Sequence, residues 1–169
     1  MNLFLLRHAK ACARGPKWQP DDTRPLTRDG EKKMFNVARG IQSLDVSIDL
    51  IVTSPYLRAF RTAEILGEVF ESKKLFETRN LIAEAEPKEV IDEINENFSE
   101  LADIVLVGHE PFMTRLISVL LSGREDLSIE LRKGGFCKLS VKKLSFGRCA
   151  CLEWLMTPRQ LARLARGKH

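Results

Sequence analysis

Three short apolar runs in this chain each lead into residues able to hold or attack an anion. Leu3-Phe4-Leu5-Leu6 runs into Arg7 and His8. Leu50-Ile51-Val52-Thr53 runs into Ser54-Pro55, with Arg58 shortly after. Ile104-Val105-Leu106-Val107 runs into Gly108-His109, and Pro111 follows. Arginine presents a planar fork of donors that matches phosphate oxygens in pairs. Histidine can donate a hydrogen bond or, when one ring nitrogen is neutral and exposed, attack phosphorus. Taken singly, each residue has a plainer use, because a histidine after a strand often serves packing and an arginine on an amphipathic helix usually faces water. Repetition after three separate runs favours a common pocket for a dianionic phosphoryl group.

Such a pocket needs elements that bring the three runs together. Short apolar runs of this length read as buried strands. Helical patterns alternate with them, which predicts a mainly parallel sheet covered on both faces. In open α/β sheets ligands bind beyond the carboxyl ends of the strands. A polar, proline-punctuated loop over 14–25 precedes a helix over 26–44, with Thr27 as its N-cap and Met34, Ala38 and Ile41 on its apolar face. A second helix is expected over 54–70, capped by Ser54 with Pro55 in its first turn and with Ala59, Ala63, Leu66 and Phe70 buried. Residues 80–87 suggest a short strand and loop. A helix over 87–98 carries Val90, Ile94 and Phe98, and another over 111–123 stops near Gly123. Residues 135–141 and 149–156 read as antiparallel strands around 142–147, followed by a short basic helix. Helix N-termini at the strand exits would add free N–H groups and partial positive charge.

Composition excludes several classes. The 169 residues fit one domain, 1–169, with no repeat or linker. No apolar run approaches the roughly 20 residues of a membrane span, and the first residues lack a secretory signal pattern, so a cytoplasmic, monomeric protein is expected. The net charge is +4, and the last twelve residues alone supply it through Arg159, Arg163, Arg166 and Lys168. The rest is neutral overall, without the broad basic field that nucleic-acid binding requires. Locally, residues 7–33 hold eight Lys and Arg against four Asp and Glu, a basic rim beside Arg7 and His8. Cys12, Cys137, Cys149 and Cys151 are too few for a disulfide scaffold, and three histidines add little to a metal site, so reduced, buried structural thiols and no metal are expected.

Residues 3–11 ("LFLLRHAKA"), 24–30 ("RPLTRDG"), 54–64 ("SPYLRAFRTAE") and 105–113 ("VLVGHEPFM") resemble the histidine phosphatase superfamily, and within it the small SixA-type phosphohistidine phosphatases. Residues 154–161 ("WLMTPRQL") are a weaker echo. The resemblance implies a three-layer α/β/α, phosphoglycerate mutase-like fold with a mainly parallel mixed central sheet. It implies His8 as nucleophile and Arg7, Arg58 and His109 as phosphate-binding residues, acting through a phosphohistidine enzyme intermediate without a cofactor. Arg24 matches the SixA-like pattern and would line the entrance.

Two positions depart from the broader superfamily. Ala9 follows His8 where the superfamily usually has glycine, a reading shared with SixA-like members, and alanine resists positive φ. The leaving-group acid of larger members falls on Glu84 or Glu86, with Glu84 the better match and two ordinary surface glutamates the plainer reading. A phosphohistidine leaves as imidazole and needs less help from an acid than an alkoxide does. The leading expectation is therefore hydrolysis of phosphohistidine on a phosphotransfer protein in signalling. The alternatives are a small-molecule phosphomonoesterase and an inert phosphate-binding module.

Overall fold

The computed structural model describes residues 1–71 and 74–167. Lys168, the last charge of the basic tail, lies outside them. Six strands hydrogen-bond into one sheet: β1 (Asn2–Arg7), β2 (Leu50–Thr53), β3 (Leu75–Glu77), β4 (Asp103–Gly108), β5 (Phe136–Val141) and β6 (Ala150–Met156). Their order is β3-β2-β4-β1-β5-β6. The first four are mutually parallel, while β5 runs antiparallel to β1 and β6 antiparallel to β5. The expected mixed, mainly parallel sheet is present.

Strand alternation divides the core. Leu3, Leu5, Val52, Ile104 and Leu106 pack with α3 (Pro87–Asn97) and α4 (Phe112–Ser122) through Val90, Ile94, Phe112 and Leu116. Phe4, Leu6, Ile51, Val105 and Val107 turn to the other face, against α1 (Arg28–Gln42), α2 (Leu57–Phe70) and α5 (Pro158–Leu164). Strands so enclosed must be apolar on both sides, which explains their unbroken hydrophobic spelling.

Local signals set several boundaries. Thr27 caps α1 by accepting the Gly30 N–H at 2.9 Å. Gly123, at φ 79°, ends α4. Thr157 and Gln160 form a reciprocal capping box on α5. Gly40 permits α5 to reach α1, since a Cβ there would lie 1.9 Å from the Leu161 carbonyl oxygen.

Several boundary expectations fail. Helix α2 begins at Leu57 with Tyr56 at its N-cap, not at Ser54, whose hydroxyl is engaged elsewhere. No strand forms over 80–87: Arg79–Leu81 is a 3₁₀ turn in which the Thr78 hydroxyl accepts the Asn80 N–H, while the third parallel strand is Leu75–Glu77. That strand is three residues long and, among the described residues, pairs only with β2, too short to show a periodic apolar pattern. Helix α3 stops one residue before Phe98, which packs from its C-cap against Phe76. Of the thiols expected to be buried, the structure buries Cys137 and leaves Cys151 exposed.

Candidate active site

The carboxyl ends of β1, β4 and β2 lie side by side and level. Arg7 is in register with Gly108, and Thr53 with Val107. The ladder continues one residue further, with the His8 N–H donating to the Gly108 carbonyl at 3.1 Å and the Ser54 N–H to the Val107 carbonyl at 3.0 Å. The chain therefore leaves three adjacent strands at His8, Ser54 and His109. The rings of His8 and His109 stand 5.0 Å apart between centroids.

Around them is a cavity of about 330 Å³ lined by Arg7, His8, Arg24, Arg58 and His109, with Arg14 and Lys133 at its edge. Among the described residues that line it, Glu110 alone carries a carboxyl. A larger hollow of about 690 Å³, near Met1, Asn95 and Lys142, has no comparable concentration of cationic groups. Charge, not size, makes the smaller cavity an anion site. The polar groups that line it are deeply set: relative exposure is 5% for His8, 8% for Arg24, 3% for Arg58 and 2% for His109.

Each side chain is held from behind. His8 Nδ1 lies 2.7 Å from the Ala9 carbonyl oxygen. A carbonyl only accepts, so Nδ1 carries the proton and Nε2 keeps its lone pair. The Ala9 N–H in turn donates to the Thr62 hydroxyl, which donates to the Arg58 carbonyl and so ties β1's exit to α2. Ala9 fits without a glycine's freedom: among the described residues, positive φ outside glycine occurs at Asp45 and Glu71 only.

Arg7 Nη1 donates to the Leu131 carbonyl at 3.0 Å, and its backbone carbonyl accepts the Gly134 N–H at 2.9 Å. Gly134 has φ 75°, which lets the 131–135 segment fold over the end of β1. Arg58 Nη1 donates to the Asp21 carbonyl at 2.8 Å, and its Nη2 lies 3.0 Å from the Asp21 carboxylate. Arg24 donates through Nε to the same carboxylate at 2.8 Å and through Nη1 to the Cys12 carbonyl. Asp21 therefore fixes two arginines at once. The Nε groups of Arg7 and Arg58 are buried without a partner.

Ser54 Oγ lies 2.8 Å from His109 Nε2 and accepts the Tyr56 N–H at 3.3 Å. The hydroxyl has one proton and two lone pairs, so while accepting from Tyr56 it can donate to Nε2, an arrangement in which His109 carries its proton on Nδ1. That Nδ1 is buried and unpartnered.

The electrostatics agree with an anion site. Burial pulls the His8 imidazole down to about 3, helped by Arg58, Arg7 and Lys133 and opposed by the Ala9 hydrogen bond. Burial likewise lowers His109 to about 2, with His8 and Arg58 adding to it. Both rings are neutral at physiological pH. Lys133 is also lowered, by burial and then by Arg7, Arg24, Lys10 and Arg14. For Asp21 burial works upward, but the Arg24 hydrogen bond and the nearby arginine charges outweigh it and hold the carboxyl below its usual range. Neutral His8 Nε2 beside unpaired guanidinium N–H groups can attack an electrophilic phosphorus while the arginines hold its oxygens.

Glu84 is not brought into this group. It is exposed, and Ala83 lines the cavity in its place. Glu86 is exposed as well, and pairs with Arg115 at 3.0 Å. The sequence reading overlooked Asp21, Lys133 and Glu110, and gave Ser54 a helix-capping part that it does not play. Glu110 was open to discovery, as the neighbour of His109 on a strand exit. Nothing in the spacing couples Asp21 to Arg58.

Comparison with known proteins finds matching relatives. A family model described as histidine phosphatase superfamily (branch 1) matches residues 3–86. An uncharacterized protein of Picosynechococcus is 31% identical over 148 residues, covering 82% of this chain and 84% of the relative. The phosphohistidine phosphatase SixA of Escherichia coli is 25% identical over 128 residues, covering 73% of this chain and 76% of that protein. Among solved structures, the protein histidine phosphatase SixA complexed with tungstate superimposes with a TM-score of 0.83 at 22% identity, over 95% of this chain and 99% of that one. A phosphoserine phosphatase of Entamoeba histolytica, in complex with 3-phosphoglyceric acid, gives 0.68 at 17% identity, over 95% and 98%. At these identities the solved structures speak to the fold.

Proposed function

The chain belongs to the histidine phosphatase superfamily, and from that premise we propose that this phosphatase hydrolyses phosphohistidine on a phosphotransfer protein, with His8 as the nucleophile. The observation that carries the chemistry is the His8 Nδ1–H bond to Ala9, which leaves Nε2 neutral, fixed in direction and next to three arginines.

In this reading the substrate's phosphoryl oxygens take the N–H groups of Arg7, Arg58 and His109, and Arg24 steadies the approach. His8 Nε2 attacks phosphorus as the bond to the leaving imidazole breaks. Water then attacks the phosphohistidine formed on the enzyme, and the P–N bond electrons return to Nε2. Phosphoryl transfer is catalysed chiefly by positioning and charge stabilisation. Guanidinium and imidazole N–H groups supply both, so we expect no metal to be required. The low affinity of His8 for protons keeps it nucleophilic well below neutrality.

A protein substrate is favoured by the size and basic lining of the cavity. About 330 Å³, bordered by Arg14 and Lys133, accommodates a phosphorylated side chain projecting from another surface. The likeness to SixA supports the same reading.

The test is a pair of assays without added metal, one with a histidine-phosphorylated phosphotransfer domain and one with p-nitrophenyl phosphate, each against His8→Ala. Loss of protein-bound phosphate, abolished by the substitution, is expected. Turnover of the small ester alone would move the substrate to metabolites, and activity toward neither would leave only phosphate binding.

A further inference from the structure

Beside His109, at the wall of the same cavity, sits a carboxyl group that the expected roles leave unused. Glu110 lines the cavity with Arg7, His8 and Lys133. One of its oxygens is fixed: Oε2 accepts the Thr114 hydroxyl at 2.7 Å and the Thr114 N–H at 3.4 Å. The other, Oε1, is buried and has no hydrogen-bond partner. A buried carboxylate oxygen without a donor is costly, whereas a protonated one there needs only an acceptor, which a bound ester would provide.

We propose that Glu110 is the acid that protonates the leaving group in this site, and the base that takes a proton from water in the second half of the reaction. The proposal rests on the phosphatase reading above and assigns to residue 110 the part expected of Glu84. In the first half His8 Nε2 forms a bond to phosphorus, and the bond from phosphorus to the leaving atom breaks. Its electron pair stays on the leaving atom, which takes the proton of Glu110. In the second half a water oxygen bonds to phosphorus, the P–N pair returns to Nε2, and the water's proton restores Glu110. Nothing beyond substrate and water is consumed.

The protonation state suits the task. Burial raises the Glu110 carboxyl above the usual carboxylate range, although the Thr114 bonds and the Arg7 charge pull the other way. A carboxyl kept neutral nearer to neutrality is the state a general acid needs at the start of a turnover. Thr114 acts as its positioning residue by holding Oε2 and leaving Oε1 for the ligand.

A proton donor matters in proportion to how poor the leaving group is. The site should therefore accept oxygen esters as well as phosphohistidine, and Glu110 should govern the difference. Glu110→Gln keeps the shape and still accepts from Thr114 but cannot give up a proton. We expect it to lower kcat/KM for phenyl phosphate by roughly 10²–10⁴-fold, while kcat/KM for 2,4-dinitrophenyl phosphate, whose anion leaves unaided, stays near the parent value; kcat falls for both esters, because the shared attack of water loses its base. Equal losses of kcat/KM on both esters, or none on either, would overturn the assignment. A carbon-13 titration of the side-chain carboxyl in the unliganded protein gives a readout free of turnover. Ionisation above the ordinary Glu range supports the proposal, and ordinary titration sinks it. If the parent protein hydrolyses neither ester nor phosphohistidine, it is the phosphatase reading that fails, and the titration still reports on Glu110.

Discussion

Ser54 looks like a helix cap in the sequence and acts as a histidine clamp in the structure. Its hydroxyl spans Tyr56 N–H and His109 Nε2, and a proton given by Ser54 to Nε2 leaves Nδ1 as the N–H of the ring. Removing the hydroxyl frees the ring to adopt either tautomer. We expect Ser54→Ala to weaken tungstate or phosphate binding about tenfold, the worth of one hydrogen bond to a buried polar group, with Ser54→Thr recovering part of it. Isothermal calorimetry measures the affinity, and nitrogen-15 shifts of the imidazole report the tautomer. An unchanged tautomer in the Ala variant would refute the clamp. The meeting of Arg7, His8, Arg58 and His109 was legible because each follows the exit of a buried run or starts the next helix. Asp21 was not, since its pairing with Arg58 spans 37 residues of chain and depends on how the 14–25 loop folds back. A polar loop carries no periodicity from which such a contact could be read.

At the scale of elements, strong patterns translated directly and weak ones did not. Strands β1, β2 and β4 are enclosed on both faces and are therefore spelled in unbroken apolar residues. Strand β3 is a short edge strand and has no such spelling. Helix α1 shows both its cap and its apolar stripe in sequence, but its contact with α5 depends on a missing atom at Gly40. Glycine says nothing about its partner until the partner is seen. Gly40→Ala is expected to force α5 off α1, because its Cβ would meet the Leu161 backbone at 1.9 Å. Overpacking of this kind costs about 1–3 kcal/mol. Thermal denaturation should show a lowered midpoint, and since the contact lies outside the cavity lining, turnover at low temperature should persist. An unchanged midpoint would mean that the two helices separate freely.

Across the whole molecule, two imidazoles are buried in neutral form beneath a cluster of arginines. Their folded affinities for protons, near pKa 3 and 2, lie below the unfolded value near 6.5. Between those values the unfolded chain binds more protons, so stability falls as pH drops. The contribution of the pair is complete above about 6.5 and is lost progressively as the pH falls toward 3. Urea denaturation at pH 7 and 4.5 should show a lower midpoint in acid, and His109→Asn should lessen the drop. Parallel drops in parent and variant would place the acid sensitivity elsewhere. The architecture as a class was readable from alternating elements, yet the order of strands was not, because nothing in the run from β1 to β2 shows that a later strand will come between them.

That insertion has a consequence for how the molecule can be made. Strands β1 and β2 are neighbours only through β4, which is completed at Gly108. A product cut short within α3 would leave β1 and β2 with facing, unfilled edges and would lack His109. Open edges of that kind invite pairing with other chains. A nonsense change in the middle third of the reading frame would therefore leave no residual hydrolysis and a sticky fragment for proteases to clear. The late arrival of one central strand makes the molecule all-or-nothing during synthesis.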